Sequence, residues 1–129
     1  MAEPIHQEVT IQAPAARIFE ALLDAQQFSN FSGAKAEIDR DAGGHFSCFG
    51  GAILGRTIEF VPNQRIVQAW RVFNWPEGVY SIVKFEIKSD GEGTRLVLDQ
   101  AGFPDAEREH LDGGWPVKYW TPLRDYLTK

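Results

Sequence analysis

Apolar and polar residues alternate over the central part of the chain in runs of strand length. The clearest run covers residues 79–88, where Val83 and Phe85 share one face while Lys84 and Glu86 lie on the other. Glycine pairs and Pro-Asn or Asp-Gly sequences separate such runs from one another. Six strands in sequence with short connections predict an antiparallel meander. The predicted strands cover residues 36–40, 45–49, 53–61, 65–73, 79–88 and 94–100, after a first strand at 7–12.

A helical period replaces this alternation after the first strand. Residues 13–14, Ala-Pro, open a helix because proline is tolerated in the first helical turn, and Ile18 and Leu22 then fall on one face. A second short helix at 25–31 ends at the Ser-Gly pair 32–33. The pattern therefore predicts two short helices between the first and second strands.

The C-terminal part of the chain is also predicted to be helical. We expect one helix at 104–111, an interruption at Gly113-Gly114, and a second helix at 116–127 that carries Trp120 on its apolar stripe. Pro122 lies inside this second helix, where proline removes a hydrogen bond and costs about 3 kcal/mol. We therefore expect a kink there, or a helix that is less regular than its pattern.

These elements predict an α+β fold in a single domain, residues 1–129. A curved antiparallel sheet of six or seven strands would wrap around the long C-terminal helix, which fills its concave face. If the helix does not sit flush on the sheet, a cavity remains between the two, and apolar cavities of this kind are common ligand sites.

Composition narrows the classes of partner. The 129 residues carry 18 acidic and 13 basic side chains, a formal net charge of −5, which argues against nucleic-acid binding. Cys48 is the single cysteine, so an intrachain disulfide is excluded. Residues 1–10 lack the apolar core of a signal peptide, and no window approaches the roughly 18 apolar residues of a membrane span. We expect a cytoplasmic domain that uses no cofactor and binds neither nucleic acid nor membrane.

The tryptophans are the leading candidates for binding, since buried indoles contribute large apolar areas and need a partner for the N–H. Trp70 lies in a predicted strand and would pack in the core or line the cavity. Trp75 stands at a Trp-Pro-Glu-Gly turn, where we expect either an apolar plug at the end of the sheet or an exposed contact for a partner, shared with Pro76 and Glu77. Arg71 would indicate an anionic ligand if it faced the cavity, and would otherwise form a salt bridge or a hydrogen bond at the rim.

Further candidates for the lining of the cavity come from the helices and a neighbouring strand. Trp115 and Tyr119 would pack the C-terminal helix against the sheet or line the cavity. Phe28 and Phe31, on the second short helix, are placed either in the core or where they would gate the cavity. Phe85 faces inward on its strand.

The sequence offers little for catalysis or metal binding. The three histidines have no H-x-x-x-H or H-E-x-x-H spacing and there is no cysteine pair, so we predict no metal site and assign no catalytic residue. His45 and Cys48 lie three residues apart in a strand and therefore point to opposite faces. His110 with Glu107 or Glu109 is a candidate general-base arrangement, although such residues more often form a solvated helix face.

A set of motifs spread over most of the chain, from about residue 9 to residue 126, resembles a known family. The motifs are Gly43-Gly44-His45-Phe46, Gly51, Gly55, Val61-Pro62, Ile66-Val67, Trp70-Arg71, Trp75-Pro76-Glu77-Gly78 and Gly114-Trp115 with Tyr119 after it. They resemble the C-terminal domain of the eukaryotic activator of the heat-shock-protein-90 ATPase. That family belongs to the helix-grip superfamily of START and birch-pollen-allergen-like domains.

The resemblance implies a non-catalytic domain that binds a 90-kDa heat-shock chaperone. The eukaryotic activators also have a separate N-terminal domain, which the present 129 residues do not include. Some members of the wider superfamily bind lipids or polyketides, and a few are cyclases or hydrolases. Three hypotheses follow: an interaction module of the chaperone-activator type, a carrier or sensor of a small hydrophobic ligand, and, ranked last, an enzyme of the cyclase or hydrolase kind.

Overall fold

The computed structural model describes residues 2–128, in which seven antiparallel strands form one curved sheet around a C-terminal helix. The strands are ordered β1-β7-β6-β5-β4-β3-β2. From β2 to β7, each strand therefore pairs with the next one in the chain, and β1 pairs with β7. The predicted α+β helix-grip architecture is confirmed. The strands are β1 (Ile5–Ile11), β2 (Glu37–Ile38), β3 (His45–Cys48), β4 (Ile53–Val61), β5 (Arg65–Val72), β6 (Ser81–Asp90) and β7 (Gly93–Ala101).

The alternation of the sequence determines which face of each strand is buried. In β6, Val83, Phe85 and Ile87 face the concave side and are buried, as the pattern predicts. Phe85 pairs with Leu98 of β7, which is also fully buried. The strand begins two residues later than predicted because the preceding residues belong to the turn.

Two short helices, α1 (Ala15–Leu23) and α2 (Ala25–Ser32), cover part of the concave face. The Asp24 carboxylate between them caps α2 by accepting a hydrogen bond from the backbone N–H of Gln27 at 2.9 Å. Gly33 ends α2 in the left-handed conformation, with φ +74°, as a Ser-Gly stop predicts.

The C-terminal helix is continuous, so the interruption predicted at Gly113-Gly114 is wrong. It consists of α3 (Arg108–Trp115), a π-helical segment (Pro116–Trp120) and α4 (Thr121–Leu127). Each glycine costs about 1 kcal/mol relative to alanine in a helix, and burial of large side chains on the inner face outweighs this cost. Those side chains are Leu111, Trp115, Tyr119, Trp120, Leu123 and Leu127.

The irregularity expected near Pro122 lies in the turn before it. The backbone N–H of Thr121 bonds to the carbonyl of Pro116, five residues back, which is the π-helical register. Pro122 has no N–H to donate, and the wider turn precedes it directly. None of the helices formed by residues 2–128 is long and apolar enough to cross a membrane.

Polar contacts attach the C-terminal helix to the edge strand β1. The indole N–H of Trp120 donates to Gln7 Oε1 at 2.7 Å, and Gln7 Nε2 in turn donates to the Asp112 carbonyl at 2.7 Å. These bonds satisfy a nearly buried indole and fix the helix across the sheet.

Candidate functional site

A groove of about 500 Å³ opens between α3 and the end of the sheet where β4 begins and β5 ends. Trp70, Trp115 and Tyr119 form its floor, and each is at most 5% exposed. Phe73 stands on the rim and is 60% exposed. The groove therefore has an apolar aromatic floor and is open to solvent on one side.

The floor depends on the inward face of β5 and one stripe of the helix. Trp70 pairs with Gly55 on β4, where a Cβ would collide with the Ala69 carbonyl oxygen and would meet the Phe46 ring at 2.6 Å, so the close packing at this position requires glycine. The Trp70 and Trp115 rings are stacked, with centroids 5.5 Å apart and planes inclined by 30°. Trp115 and Tyr119 lie four residues apart on the helix, and their ring centroids are 4.4 Å apart.

A buried hydrogen-bond chain holds Trp115 against the sheet. Its indole N–H donates to Gln100 Oε1 at 2.9 Å, and Gln100 Nε2 donates to Ser81 Oγ at 3.0 Å. The Ser81 hydroxyl donates to the Trp70 carbonyl at 2.8 Å. Gln100 and Ser81 are at most 1% exposed, so each bond satisfies a group that water does not reach. Gln100 was not among the predicted site residues, although its spacing of two from the inward-facing Leu98 indicates the same face.

The buried Tyr119 hydroxyl and Cys48 thiol both stay in their neutral forms. The Tyr119 hydroxyl accepts a hydrogen bond from the Trp70 indole N–H at 3.4 Å, and burial raises the Tyr119 pKa well above its usual value. Burial also raises the pKa of the Cys48 thiol to about 12. Because a thiol with such a pKa carries almost no thiolate near pH 7, Cys48 acts as an apolar filler.

The space directly between the sheet and the helix is nearly filled. A void of about 10 Å³ remains there, lined in part by Phe28, Phe85 and Tyr119. Phe28 is buried against Phe31, with ring centroids 4.5 Å apart, and against Tyr119 at 5.7 Å. The six predicted lining residues therefore divide: Trp70, Trp115 and Tyr119 line the groove, Phe28 and Phe85 line the interior void, and Phe31 packs in the core beside them.

The exposure considered for Trp75 at the turn is wrong. Trp75 is 6% exposed and is the apolar plug at the end of the sheet, because its ring packs edge-on against Trp70, with centroids 6.0 Å apart. Its indole N–H donates to Glu107 Oε1 at 3.1 Å. Pro76 and Glu77 are exposed, as the turn predicts.

Arg71 points away from the groove and fastens the turn. It lies next to Trp70 on β5 and therefore on the opposite face of the sheet. Its guanidinium donates to the carbonyls of the turn, among them those of Trp75 at 2.6 Å and Pro76 at 2.8 Å. It also lies 5.6 Å from the centroid of the Tyr80 ring. Arg71 thus forms hydrogen bonds at the rim, and its position gives no indication that the groove binds an anion.

Of the candidate catalytic groups, Glu107 and His110 both border the groove, whereas His45 and Cys48 do not. His45 is exposed and Cys48 is buried, as their opposite faces predict. The Glu107 carboxylate accepts the hydrogen bond from Trp75 that was described above, and His110 lies exposed on the helix. Among residues 2–128, no three His, Cys, Asp or Glu side chains come together as ligands for a metal ion.

Comparison with known families gives a match over most of the chain. Residues 12–128 match the family described as "Activator of Hsp90 ATPase homolog 1-like protein". The chain is 30% identical over 120 residues to an uncharacterised protein of Schizosaccharomyces pombe, which covers 93% of this chain and 36% of that protein. It is 32% identical over 97 residues to the activator of 90 kDa heat shock protein ATPase homolog 2 of Mus musculus, which covers 75% of this chain and 29% of that protein. The chain thus spans about a third of the length of these curated relatives.

A solved structure resembles the whole domain. The crystal structure of an HSP90 activator from Plasmodium falciparum superposes with a TM-score of 0.91 at 28% sequence identity. The similarity covers 97% of this chain and 96% of that one. With the groove, the filled interior and the Trp-Pro-Glu-Gly turn in place, these matches show that the chain belongs to the family of Activator of Hsp90 ATPase homolog 1-like proteins.

Proposed function

We propose that this domain is a non-catalytic interaction module that binds a 90-kDa heat-shock chaperone. The observation that carries the proposal is the family match over residues 12–128, together with the similarity in fold to a protein described as an HSP90 activator. Such a partner implies that the domain acts in the cytoplasm.

The packing of the domain supports a role in surface recognition. The space between sheet and helix retains about 10 Å³, roughly the minimum that one water needs. This void is too small for an organic ligand, which leaves the surface and the open groove as the places for recognition. Exposed apolar residues are available there, among them Phe73 at 60% and Tyr80 at 47% exposure.

The β5–β6 turn is the contact surface that we favour. Pro76 and Glu77 are exposed on it, while Trp75 supports it from inside and Arg71 bonds to its carbonyls. A turn held in this way loses little conformational entropy on binding, which favours affinity. Trp75 therefore contributes to the contact through the shape of the turn, and Phe73 lies beside it.

Calorimetric titration with the 90-kDa chaperone of the same organism tests the proposal. We expect saturable binding by the native domain and at least about fivefold weaker binding by Glu77→Lys, since charge reversal in an interface is costly. Glu92→Lys is the matched control, because Glu92 is an exposed glutamate in the β6–β7 turn at the opposite end of β6. Absence of binding by the native domain, with no change in the ATPase rate of the chaperone, would overturn the proposal.

A second candidate function is a carrier or sensor of a small hydrophobic ligand. The groove of about 500 Å³ favours it, since ligand sites commonly enclose about 300–1,000 Å³. Its floor of Trp70, Trp115 and Tyr119 would cover the apolar part of such a ligand.

A further inference from the structure

Gly114 lies at the centre of the helix face that borders the groove. Three other residues of the same helix face border the groove. Leu111 lies about one turn before Gly114, Trp115 is next to Gly114, and Lys118 lies about one turn after it. A Cβ on Gly114 would meet no atom within 4 Å, and its φ lies in the ordinary helical range. Packing therefore does not require glycine here, and glycine costs about 1 kcal/mol relative to alanine within a helix. The absent side chain leaves the groove open up to the backbone of the helix.

The charged groups along the groove differ in whether they already have a hydrogen-bond partner within the domain. At one end the Glu107 carboxylate is already bonded to Trp75. Lys118 lies eleven residues after Glu107, which corresponds to about 16 Å along a helix that rises 1.5 Å per residue. Its ammonium is exposed and makes no hydrogen bond or ion pair with the residues of 2–128, and the same holds for the side chain of His110 on this face. Glu107 keeps its negative charge, because an indole donor does not neutralise a carboxylate, and Lys118 is the cation in the lining of the groove, without a partner among residues 2–128.

We propose that this groove binds a small amphipathic carboxylic acid. The apolar body of the acid would lie over Gly114 against the rings of Trp70 and Trp115, and its carboxylate would pair with the Lys118 ammonium. This inference rests on the second candidate function and names its ligand class. The groove adjoins the β5–β6 turn to which we assign chaperone binding, since Phe73 stands on its rim, but the ligand class is a separate claim with its own titration.

The first test compares two probes with the same apolar chain, decanoic acid and decanol, by calorimetry below the micelle-forming concentration of decanoate and below the solubility limit of decanol. We expect the native domain to bind decanoate about threefold to fivefold more tightly than decanol, the range of a partly exposed ion pair. Lys118→Gln should remove this preference and leave decanol binding unchanged. Binding of neither probe, or a decanoate preference that survives Lys118→Gln, would overturn the proposal.

The second test uses the two neighbouring glycines as a matched pair. Gly114→Leu should weaken decanoate binding at least about tenfold, because the new side chain occupies the groove. Gly113→Leu adds the same side chain one residue away, where a Cβ also meets nothing within 4 Å but does not border the groove, and should leave binding unchanged. Thermal unfolding of both variants checks that they fold. Equal weakening by the two substitutions would contradict a site at Gly114.

These titrations contain no chaperone, so they separate this inference from the proposed function. Loss of decanoate binding by Gly114→Leu with unchanged chaperone binding is the expected combination. If decanoate does not bind while the chaperone does, the inference fails and the interaction module remains.

Discussion

The indole N–H of Trp75 donates a hydrogen bond to Glu107 Oε1 at 3.1 Å, which ties the β5–β6 turn to the residue that precedes the C-terminal helix. The two residues are 32 positions apart in the chain. The Trp75 ring also packs on Trp70, so one side chain joins the turn, the sheet and the helix. The shape of the exposed Pro76-Glu77 surface therefore depends on a buried contact behind it.

A double-mutant cycle on this pair measures their coupling. Trp75→Phe and Glu107→Ala each remove the hydrogen bond, and we expect a coupling free energy of about 0.5–1.5 kcal/mol from urea unfolding of the single and double variants. Strictly additive effects would show that the bond contributes nothing to stability.

Replacing Arg71 should loosen the turn. Arg71→Lys keeps the charge but loses the planar fork that donates to the turn carbonyls, so we expect a loss of about 1–3 kcal/mol in unfolding free energy. Faster hydrogen exchange of the amides in residues 73–80 should accompany it. Arg56→Lys is the matched control, since Arg56 makes one exposed bond, to the Gly43 carbonyl. Equal effects of the two substitutions would argue against a special role of Arg71.

The buried amide of Gln100 should be costly to remove. Gln100→Leu leaves the Trp115 indole N–H without its acceptor in a site that water does not reach, so we expect a loss of about 1–3 kcal/mol. The near-UV circular dichroism of the stacked tryptophans should change as well. Gln26→Leu, an exposed position on α2, should stay within about 0.5 kcal/mol of the native domain. A native-like stability of Gln100→Leu would mean that another group satisfies Trp115.

Alanine at either helical glycine should stabilise the domain. Gly113→Ala and Gly114→Ala each add a Cβ that meets nothing within 4 Å, so we expect a gain of about 0.5–1 kcal/mol in thermal or urea unfolding. Destabilisation by Gly114→Ala would show that the fold itself requires this glycine, which would remove the argument for an occupant of the groove.

His6 should titrate at a higher pH than an ordinary histidine. Its Nδ1 lies 2.7 Å from Asp99 Oδ1 and its Nε2 lies 2.8 Å from Glu8 Oε2, and hydrogen bonding to Asp99 and then to Glu8 raises its pKa above 6.5. Because the folded-state pKa is raised, the resulting stabilisation is complete below the unfolded-state pKa and is lost as pH rises through the folded-state value. NMR titration of the imidazole checks this, and Asp99→Asn should lower the midpoint. A midpoint unchanged by Asp99→Asn would contradict the assignment.

The strands and the helix grip could be predicted because they rest on local patterns. Alternation on β6 identifies the face that Val83 and Phe85 bury, and the Ser-Gly pair that ends at Gly33 marks the end of α2. The sequence left open whether Trp75 is a buried plug or an exposed contact, since the answer depends on packing against Trp70 and on a hydrogen bond to Glu107, far away in the chain. Local propensity also misplaced the break at Gly113-Gly114, because the burial of distant partners such as Trp115 outweighs two unfavourable glycines.

In the candidate site, too, local patterns predicted some features, whereas others depend on contacts between distant parts of the chain. The sequence predicted that Trp70, Trp115 and Tyr119 either pack in the core or line a cavity, and in the structure they share the groove floor. Phe28 and Phe85 were placed in the same site, but they pack too closely with Tyr119 to leave a cavity. Periodicity gives the direction of a side chain, whereas the space left between side chains depends on the docking of the helix on the sheet.

Binding of the chaperone through the β5–β6 turn is tested most directly by an NMR titration of the isotope-labelled domain with the 90-kDa chaperone. We expect the amide signals of the β5–β6 turn around Pro76 and Glu77 to broaden or shift first. The signals of the β6–β7 turn around Glu92 should broaden only as much as the slower tumbling of the whole complex requires. Unchanged spectra at equimolar chaperone, or changes confined to the β6–β7 turn, would contradict it.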